Sequence, residues 1–173
     1  MKRQQRLMTL NNLADLRCYQ DASKANLQAR KPRDIKRCDT LEQAVRRSGL
    51  QDGMTISFHH AFRGGDLALN QVMETLAAMG FRNLTLASSS LSECHAPLVG
   101  HIRNGVVSRI YTSGLRGPLA DAISRGLLAE PVQIHSHGGR VNLIESGELA
   151  IDVAFLGVPA CDEFGNANGY SGE

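Results

Sequence analysis

The chain has 173 residues, 42% of them hydrophobic, which is enough for one domain with its own core and an appended segment. It contains no Trp, three Tyr and five Phe, so the core is expected to be aliphatic. The formal net charge of +2 hides an asymmetry: residues 1–47 carry twelve Lys and Arg against five Asp and Glu, whereas the remainder carries seven against twelve.

The cysteines and the hydropathy pattern exclude several classes of protein. Cys18, Cys38, Cys94 and Cys161 are widely spaced and form no CxxC pair, which argues against a zinc ribbon or a disulfide framework. No apolar run approaches the roughly 18 residues that a membrane span needs, and the N-terminus lacks the apolar stretch of a signal peptide. The sequence therefore predicts a cytoplasmic protein that is neither secreted nor inserted in a membrane.

The first 40 residues differ in kind from the rest. Polar and charged residues dominate them, and "ASKANLQARKPRDIKR" develops no long apolar stripe. We interpret residues 1–40 as a basic arm that is helical or partly ordered, and residues 41–173 as an α/β domain. A helix from about Leu41 to Arg47, with Gly49 near its end, leads into the domain.

Short apolar runs then alternate with amphipathic stretches. The apolar runs predict strands at 54–58, 83–87, 106–111, 131–135 and 151–158, and the amphipathic stretches predict helices at about 66–79, 94–104, 118–129 and 140–147. Such alternation predicts a mainly parallel sheet with helices on both faces. The run 151–158 is nearly all apolar, as is typical of a strand buried on both faces.

Three helices show the residues that usually mark helix ends. In 66–79 the apolar positions form one broad face, Asp66 is a candidate N-cap, and Gly80 closes the end. Ser92 is the candidate cap of the second helix, and Gly105 would end it. Pro118 falls where a first-turn proline is tolerated.

Each predicted strand ends in small or polar residues. These ends read "HHAFRGGD", "SSSLSE", "TSGLRGP", "HSHGGR" and "PACDEFGNANGY". Ligands of open α/β sheets bind outside the carboxyl ends of the strands, so these loops are predicted to meet at one edge. Glycines before helices, at positions 64, 65, 114, 117, 138 and 139, would let an anionic group approach free backbone N–H groups, although a glycine pair is also an ordinary tight turn.

The polar side chains of these loops suggest proton handling rather than metal binding. His59, His60, His135 and His137 lack the spacing of a metal motif, so contact with a carboxylate substrate is the preferred interpretation. His95 and His101 fall on a predicted helix and are expected to be ordinary packed or surface residues. No GxSxG surrounds the serines at 88–90, and neither a Walker motif nor GxGxxG is present.

With these loops assembled, the chain from about residue 40 onward resembles the α subunit of bacterial citrate lyase. The segments that carry the resemblance are "SGLQDGMTISFHHAFRGGDLALN", "NLTLASSSLSECHAPLV", "RIYTSGLRGPLADAISRGLLAEPVQIHSHGGRV" and "IDVAFLGVPACDEFGNANGYSGE". A weaker likeness to coenzyme A transferases depends on the "DG(apolar)" strand with its glycine loop and on "VAFLGVPACDEFGN". In that wider family "D(E)xxGN" follows a strand near the thioester site. The resemblance implies a coenzyme A transferase-like fold, half of a two-domain architecture, and a chain that stops early in that architecture.

The resemblance also implies an activity and partners. The family exchanges acetate for citrate on the thiol of a coenzyme A-like group, which the acyl carrier γ subunit supplies, and the β subunit then cleaves the citryl thioester. Free acetyl-CoA replaces the carrier, no cofactor is tightly bound, and a homo-oligomer is expected. The chemistry is thought to pass through a ternary complex and a mixed anhydride, whereas many coenzyme A transferases use a glutamate in their second half.

Residue roles follow from the loops and the resemblance together. His59 and His60 would orient substrate or handle protons, and Arg63 or Arg116 would pair with a citrate carboxylate. The other predicted substrate-binding residues are Gly64, Gly65, Ser89, Ser90, Gly114, His135, His137, Gly138, Gly139, Glu163 and Asn166. No metal ligand is predicted.

Two alternatives belong to other classes. The basic arm is compatible with a nucleic-acid-binding module, although it lacks interleaved aromatics apart from Tyr19 and shows no known binding motif. A sugar-phosphate isomerase of similar fold would use the same glycine loops to hold phosphate.

Overall fold

The structure, a computed structural model, describes residues 35–59 and 67–168. Ile35 ends a first unit of the chain, and everything else that is described belongs to the second, Lys36–Glu173. The helices are α1 Leu41–Ser48, α2 Ala68–Ala78, α3 Leu98–Arg103, α4 Gly117–Ser124 and α5 His137–Ser146, with a 3-10 turn at Glu93–His95. The strands are β1 Thr55–His59, β2 Leu84–Ser88, β3 Val107–Thr112, β4 Gln133–Ile134, β5 Val153–Leu156, β6 Ala160–Cys161 and β7 Ala167–Asn168.

Five of the strands form one sheet in the order β4-β3-β2-β1-β5, and every pair in it is parallel. The predicted α/β class with a mainly parallel sheet is confirmed. From β1 to β4 each new strand is added on the same side, and β5 then returns to the other side of β1. The strand order therefore reverses between β1 and β5, which is the position where open α/β sheets bind ligands at their carboxyl edge.

One face of the sheet carries the aliphatic core. Ile56 and Phe58 of β1 are 0% and 2% exposed, and they belong to one apolar cluster with residues of α2, α3 and α4. Side chains alternate along a strand, so all three helices lie on the face to which Ile56 and Phe58 point. Right-handed crossovers between successive parallel strands place them there.

The opposite face is lined by small and polar side chains. Ser57, between Ile56 and Phe58, points to this face, as does Ala87, its register partner on β2. Helix α5 lies on this side, because the Arg140 side chain bonds Ser57 Oγ and Ala87 O. The crossover from β4 to β5 runs in the reverse direction along the sheet, and right-handedness moves its helix to the second face. Helices therefore cover both faces, as predicted.

The predicted ends of the first helices are largely confirmed. Thr40 Oγ1 accepts the Gln43 N–H at 3.2 Å and begins α1, and Gly49 ends it with φ of 75°. Gly80, with φ of 88°, follows α2. The predicted cap of α2, Asp66, lies outside the described residues.

Three expectations were wrong. The stretch 94–104 is not one helix: a 3-10 turn comes first and α3 starts only after Pro97, which has no N–H for a helix interior. β4 has two residues instead of five, and Pro131 removes a ladder donor from the predicted start. "PACDEFGNANGY" is not simply a loop, since β6 and β7 pair antiparallel within it.

The run 151–158 was also predicted wrongly as a strand buried on both faces. β5 pairs with β1 at one edge of the described sheet, and Leu156 is 65% exposed. The face of β5 on the same side of the sheet as Phe58 is better covered, since Phe155 stacks on Phe58 with ring centroids 5.3 Å apart. Among the described residues, no helix is long and apolar enough to cross a membrane.

Candidate functional site

Backbone hydrogen bonds at the carboxyl edge of the sheet join the end of β1, the loop after β2, the end of β3 with its loop, and the start of the loop after β4. The Ser89 N–H donates to the Phe58 carbonyl at 3.2 Å, and the Ser113 N–H donates to the Ser89 carbonyl at 2.8 Å. The His135 N–H donates to the Thr112 carbonyl at 2.9 Å. The parallel ladder thus continues beyond the strand ends, and it holds four chain segments side by side at one edge.

A second set of bonds fixes the loops after β2 and β3. The Leu91 N–H donates to Gly114 O at 2.9 Å, and the Arg116 N–H donates to Leu91 O at 3.0 Å. Leu91 and Leu115 form a short parallel bridge between these bonds. Arg116 is exposed and extended, with φ of −143°, directly before α4. Its backbone is therefore fixed while its guanidinium is free to reach a ligand.

The start of α5 brings the "HSHGGR" motif to the same edge. Ser136 is the N-cap, and its Oγ accepts the Gly139 N–H at 3.0 Å. A Cβ on Gly139 would lie only 3.2 Å from that Oγ, so the tight cap favours glycine there. His137 and Gly138 are exposed in this first turn. Free N–H groups at such a helix start favour an anion.

The histidine before this turn is held by a ring contact. His135 is half-buried and stacks on Tyr111 with centroids 6.5 Å apart and ring planes 13° apart. Its ring orientation is set by β3 rather than by a second histidine. Among the described residues, no three His, Cys, Asp or Glu side chains are grouped closely enough to hold a metal ion.

The remaining predicted site residues differ in accessibility. Ser90 is exposed, whereas Ser89 is only 1% exposed, and its backbone joins the neighbouring segments at the edge. Gly114 is half-buried, with open space where a Cβ would stand, and His59 is exposed at the last position of β1. His60, Arg63, Gly64 and Gly65 lie outside the described residues, in the segment that follows β1.

Glu163 and Asn166 belong to the hairpin of β6 and β7. Asp162 organises its turn, because its carboxylate accepts the Phe164 and Asn166 N–H groups and the Asn166 Nδ2. The bond from the Asn166 side chain, followed by those from backbone N–H groups, lowers the pKa of Asp162. The Glu163 carbonyl accepts the N–H groups of Lys36 and Arg37 at 2.8 and 3.1 Å. The hairpin thus secures the segment before α1.

The other two described histidines are buried in the fold. His95 is 1% exposed, and its Nδ1 accepts the Ser92 N–H at 3.0 Å in a capping box. His101 is 6% exposed on α3, and its Nε2 lies 3.5 Å from Glu74 Oε1. Both pack within the structure, as expected from the sequence.

One residue at this edge was missed by the sequence analysis. Arg140, in the first turn of α5, crosses to the sheet and donates through Nη2 to Ser57 Oγ at 2.7 Å and to Ala87 O at 3.2 Å. The motif "HSHGGR" placed it next to the glycines, but an arginine in a helix is usually exposed, and the small Ser57 gave no sign of a partner 83 residues away.

Comparison with known proteins identifies the family. The family model "Citrate lyase, alpha subunit (CitF)" matches residues 34–173. This chain belongs to the citrate lyase α subunit family. It is 72% identical to the citrate lyase alpha chain of Escherichia coli K12 over 99% of its length, and 65% identical to that of Haemophilus influenzae over 92%.

A solved structure agrees with the fold. A crystal structure from Streptococcus mutans, described as the alpha subunit of citrate lyase in complex with citrate, matches with a TM-score of 0.79 and 48% identity. The match covers 82% of this chain and 28% of the S. mutans chain. This chain likewise spans about a third of its citrate lyase relatives, 34% and 32% of the E. coli and H. influenzae chains.

Proposed function

We propose that this chain forms part of the acyl-transfer site of citrate lyase, in which an acetyl thioester and citrate give a citryl thioester and acetate. In this exchange the acetyl carbon–sulfur bond breaks and a bond forms between the sulfur and a citrate carboxyl carbon. One oxygen of the citrate carboxylate leaves with the acetate. The thiol belongs to the coenzyme A-like group of an acyl carrier subunit, or to free coenzyme A, and is a substrate.

The observation that carries the proposal is the grouping of the loops at the carboxyl edge of the sheet. Ser90, Arg116, His137 and the first turn of α5 lie on neighbouring segments of that edge, in a chain of the citrate lyase α subunit family. A guanidinium is suited to pair with a carboxylate, and the N–H groups of the α5 turn suit an anion. The transfer needs such groups, because negative charge develops on the oxygens of the acyl centre.

The proposal includes an assembly and a compartment. The β subunit, the acyl carrier γ subunit and further copies of this chain are the proposed partners in the cytoplasm. His59 and His60 keep their proposed roles in orienting substrate or moving protons, and Glu163 and Asn166 keep theirs as neighbours of the thioester. No described carboxylate is assigned as a nucleophile.

The test is the exchange reaction itself, measured from acetyl-CoA and citrate with the protein in its complete complex, by mass detection of citryl-CoA together with the oxaloacetate that the β subunit releases from it. Arg116→Ala should raise the apparent KM for citrate by about tenfold, as expected when one charge-assisted contact is lost. Arg103→Ala is the matched control, since Arg103 is exposed at the end of α3, at the amino edge of the sheet. If the wild-type protein forms neither citryl-CoA nor oxaloacetate, the proposed activity is refuted, and an unchanged KM in Arg116→Ala would remove that residue from citrate binding.

A further inference from the structure

Arg140 is a charged side chain held against the centre of the sheet. Its Nη2 bonds Ser57 of β1 and Ala87 of β2, which are register partners beside the position where the strand order reverses. Nη1 is buried and has no hydrogen-bond partner within residues 35–59 and 67–168. Burial lowers the pKa of the Arg140 guanidinium from its ordinary value, which reflects the cost of withdrawing the charge from water.

No carboxylate of the described residues pairs with this charge. The ion pairs found there join His101 with Glu74 and Arg109 with Glu130. A partly buried cation that has an unused donor and no counter-charge among the described residues is unfavourable for stability, and a neutral side chain could attach α5 to the sheet at lower cost. Attachment of α5 to the sheet therefore does not explain why the side chain at position 140 is positively charged.

The position of Arg140 supplies that explanation. It stands in the same helical turn as His137, Gly138 and Gly139, so its two bonds also fix the N–H groups of that turn relative to β1 and β2. Nη1 is buried and Nη2 bonds the sheet, so we expect this half-buried guanidinium to favour an anion at the adjoining edge through its electrostatic field.

We infer that Arg140 is a positioning residue of the proposed acyl-transfer site: it fixes the first turn of α5 on the sheet and supplies the positive charge that the bound polycarboxylate balances. This inference depends on the proposed function, since citrate is the ligand whose charge it balances. Citrate binding would require both the charge of Arg140 and its attachment to the sheet, whereas a purely structural role would require the attachment alone.

The experiment measures citrate affinity by calorimetry, and KM and kcat in the exchange assay, for the protein in its complete complex. Arg140→Gln removes the charge and should raise the Kd and KM for citrate by about tenfold while kcat changes less than threefold. Arg140→Lys keeps the charge and should stay within about threefold of wild type. Arg109→Gln, which removes an exposed arginine paired with Glu130, is the control and should leave citrate affinity unchanged.

A double-mutant cycle tests the attachment. Ser57→Ala removes one acceptor, and the double variant Ser57→Ala/Arg140→Gln should bind citrate no more weakly than Arg140→Gln alone, because both changes break the same contact. Melting temperatures establish that each variant is folded at the assay temperature.

The outcomes separate the two proposals. If the wild-type protein binds no citrate, the proposed function fails and this inference fails with it. If the wild type binds citrate but folded Arg140→Gln binds it equally well, or Arg140→Lys is as weak as Arg140→Gln, the role of Arg140 is overturned while the proposed function stands. Additive losses in the cycle would overturn the attachment through Ser57.

Discussion

Gly117 directly follows Arg116 of the candidate site and packs against Glu93, and replacing it with alanine tests this packing. Gly117 follows Arg116, begins α4, and has φ of 65°, a conformation that side chains disfavour. A Cβ there would lie 2.7 Å from Glu93 Cγ and 3.2 Å from Glu93 Cα. Gly117→Ala therefore meets both a backbone and a steric penalty.

The two penalties differ in size, and a control variant separates them. The left-handed backbone alone costs a non-glycine residue about 1–2 kcal/mol, and forcing a methyl group into a packed position adds about 1–3 kcal/mol. Gly126→Ala is the matched control, because Gly126 has φ of 87° and nothing within 4 Å of the added Cβ. We expect Gly117→Ala to lower the free energy of unfolding by about 2–5 kcal/mol, and Gly126→Ala by about 1–2 kcal/mol.

Urea unfolding followed by circular dichroism measures both free energies by linear extrapolation. In a Glu93→Ala background the Cγ is gone, so the cost of Gly117→Ala should fall by about 1 kcal/mol. Equal losses for Gly117→Ala and Gly126→Ala, with no relief from Glu93→Ala, would refute the close packing of Gly117 against Glu93.

Other predictions concern the core, the first helix and the hairpin. Leu86 is 0% exposed, and Leu86→Ala should lower the free energy of unfolding by about 2–5 kcal/mol. Leu156 is 65% exposed, and Leu156→Ala should lower it by at most about 0.5 kcal/mol. Equal losses would contradict the edge position of β5. Thr40→Ala removes the cap of α1 and should cost about 1 kcal/mol in the same assay, and no loss would contradict the cap. The pKa of Asp162 is lower in the folded protein than its ordinary value of 3.8. The ionised carboxylate therefore stabilises the hairpin fully at pH values above 3.8, and the stabilisation is lost as the pH falls through the folded pKa. An NMR titration midpoint at or above 3.8 would contradict this.

The regular elements could be predicted because their patterns are local. Apolar runs marked β1, β2 and β3, and Thr40 and Gly49 stand where α1 begins and ends. The position of β5 was predicted but its burial was not, because "IDVAFLGV" is apolar whether or not other elements cover the strand. The hairpin was missed because its strands have two residues each and depend on the Asp162 turn.

The candidate site was predictable to the level of its loops but not of its side-chain contacts. Strand ends of a parallel sheet share an edge, so Ser90, Arg116 and His137 could be placed there from topology alone. The burial of Ser89 and the contact of Arg140 with Ser57 depend on which face of the sheet α5 covers. That face follows from the return of the chain to β5, which no local pattern indicates.

Amide-resolved hydrogen exchange of the protein with and without citrate tests whether citrate binds at the carboxyl edge of the sheet. We expect citrate to slow exchange at the carboxyl edge, in residues 89–91, 113–116 and 135–139, and to leave exchange at the amino edge near Gly53 and Gly105 unchanged. Slowing confined to the amino edge, or to the outer face of α1, would contradict a citrate site at the carboxyl ends of the strands.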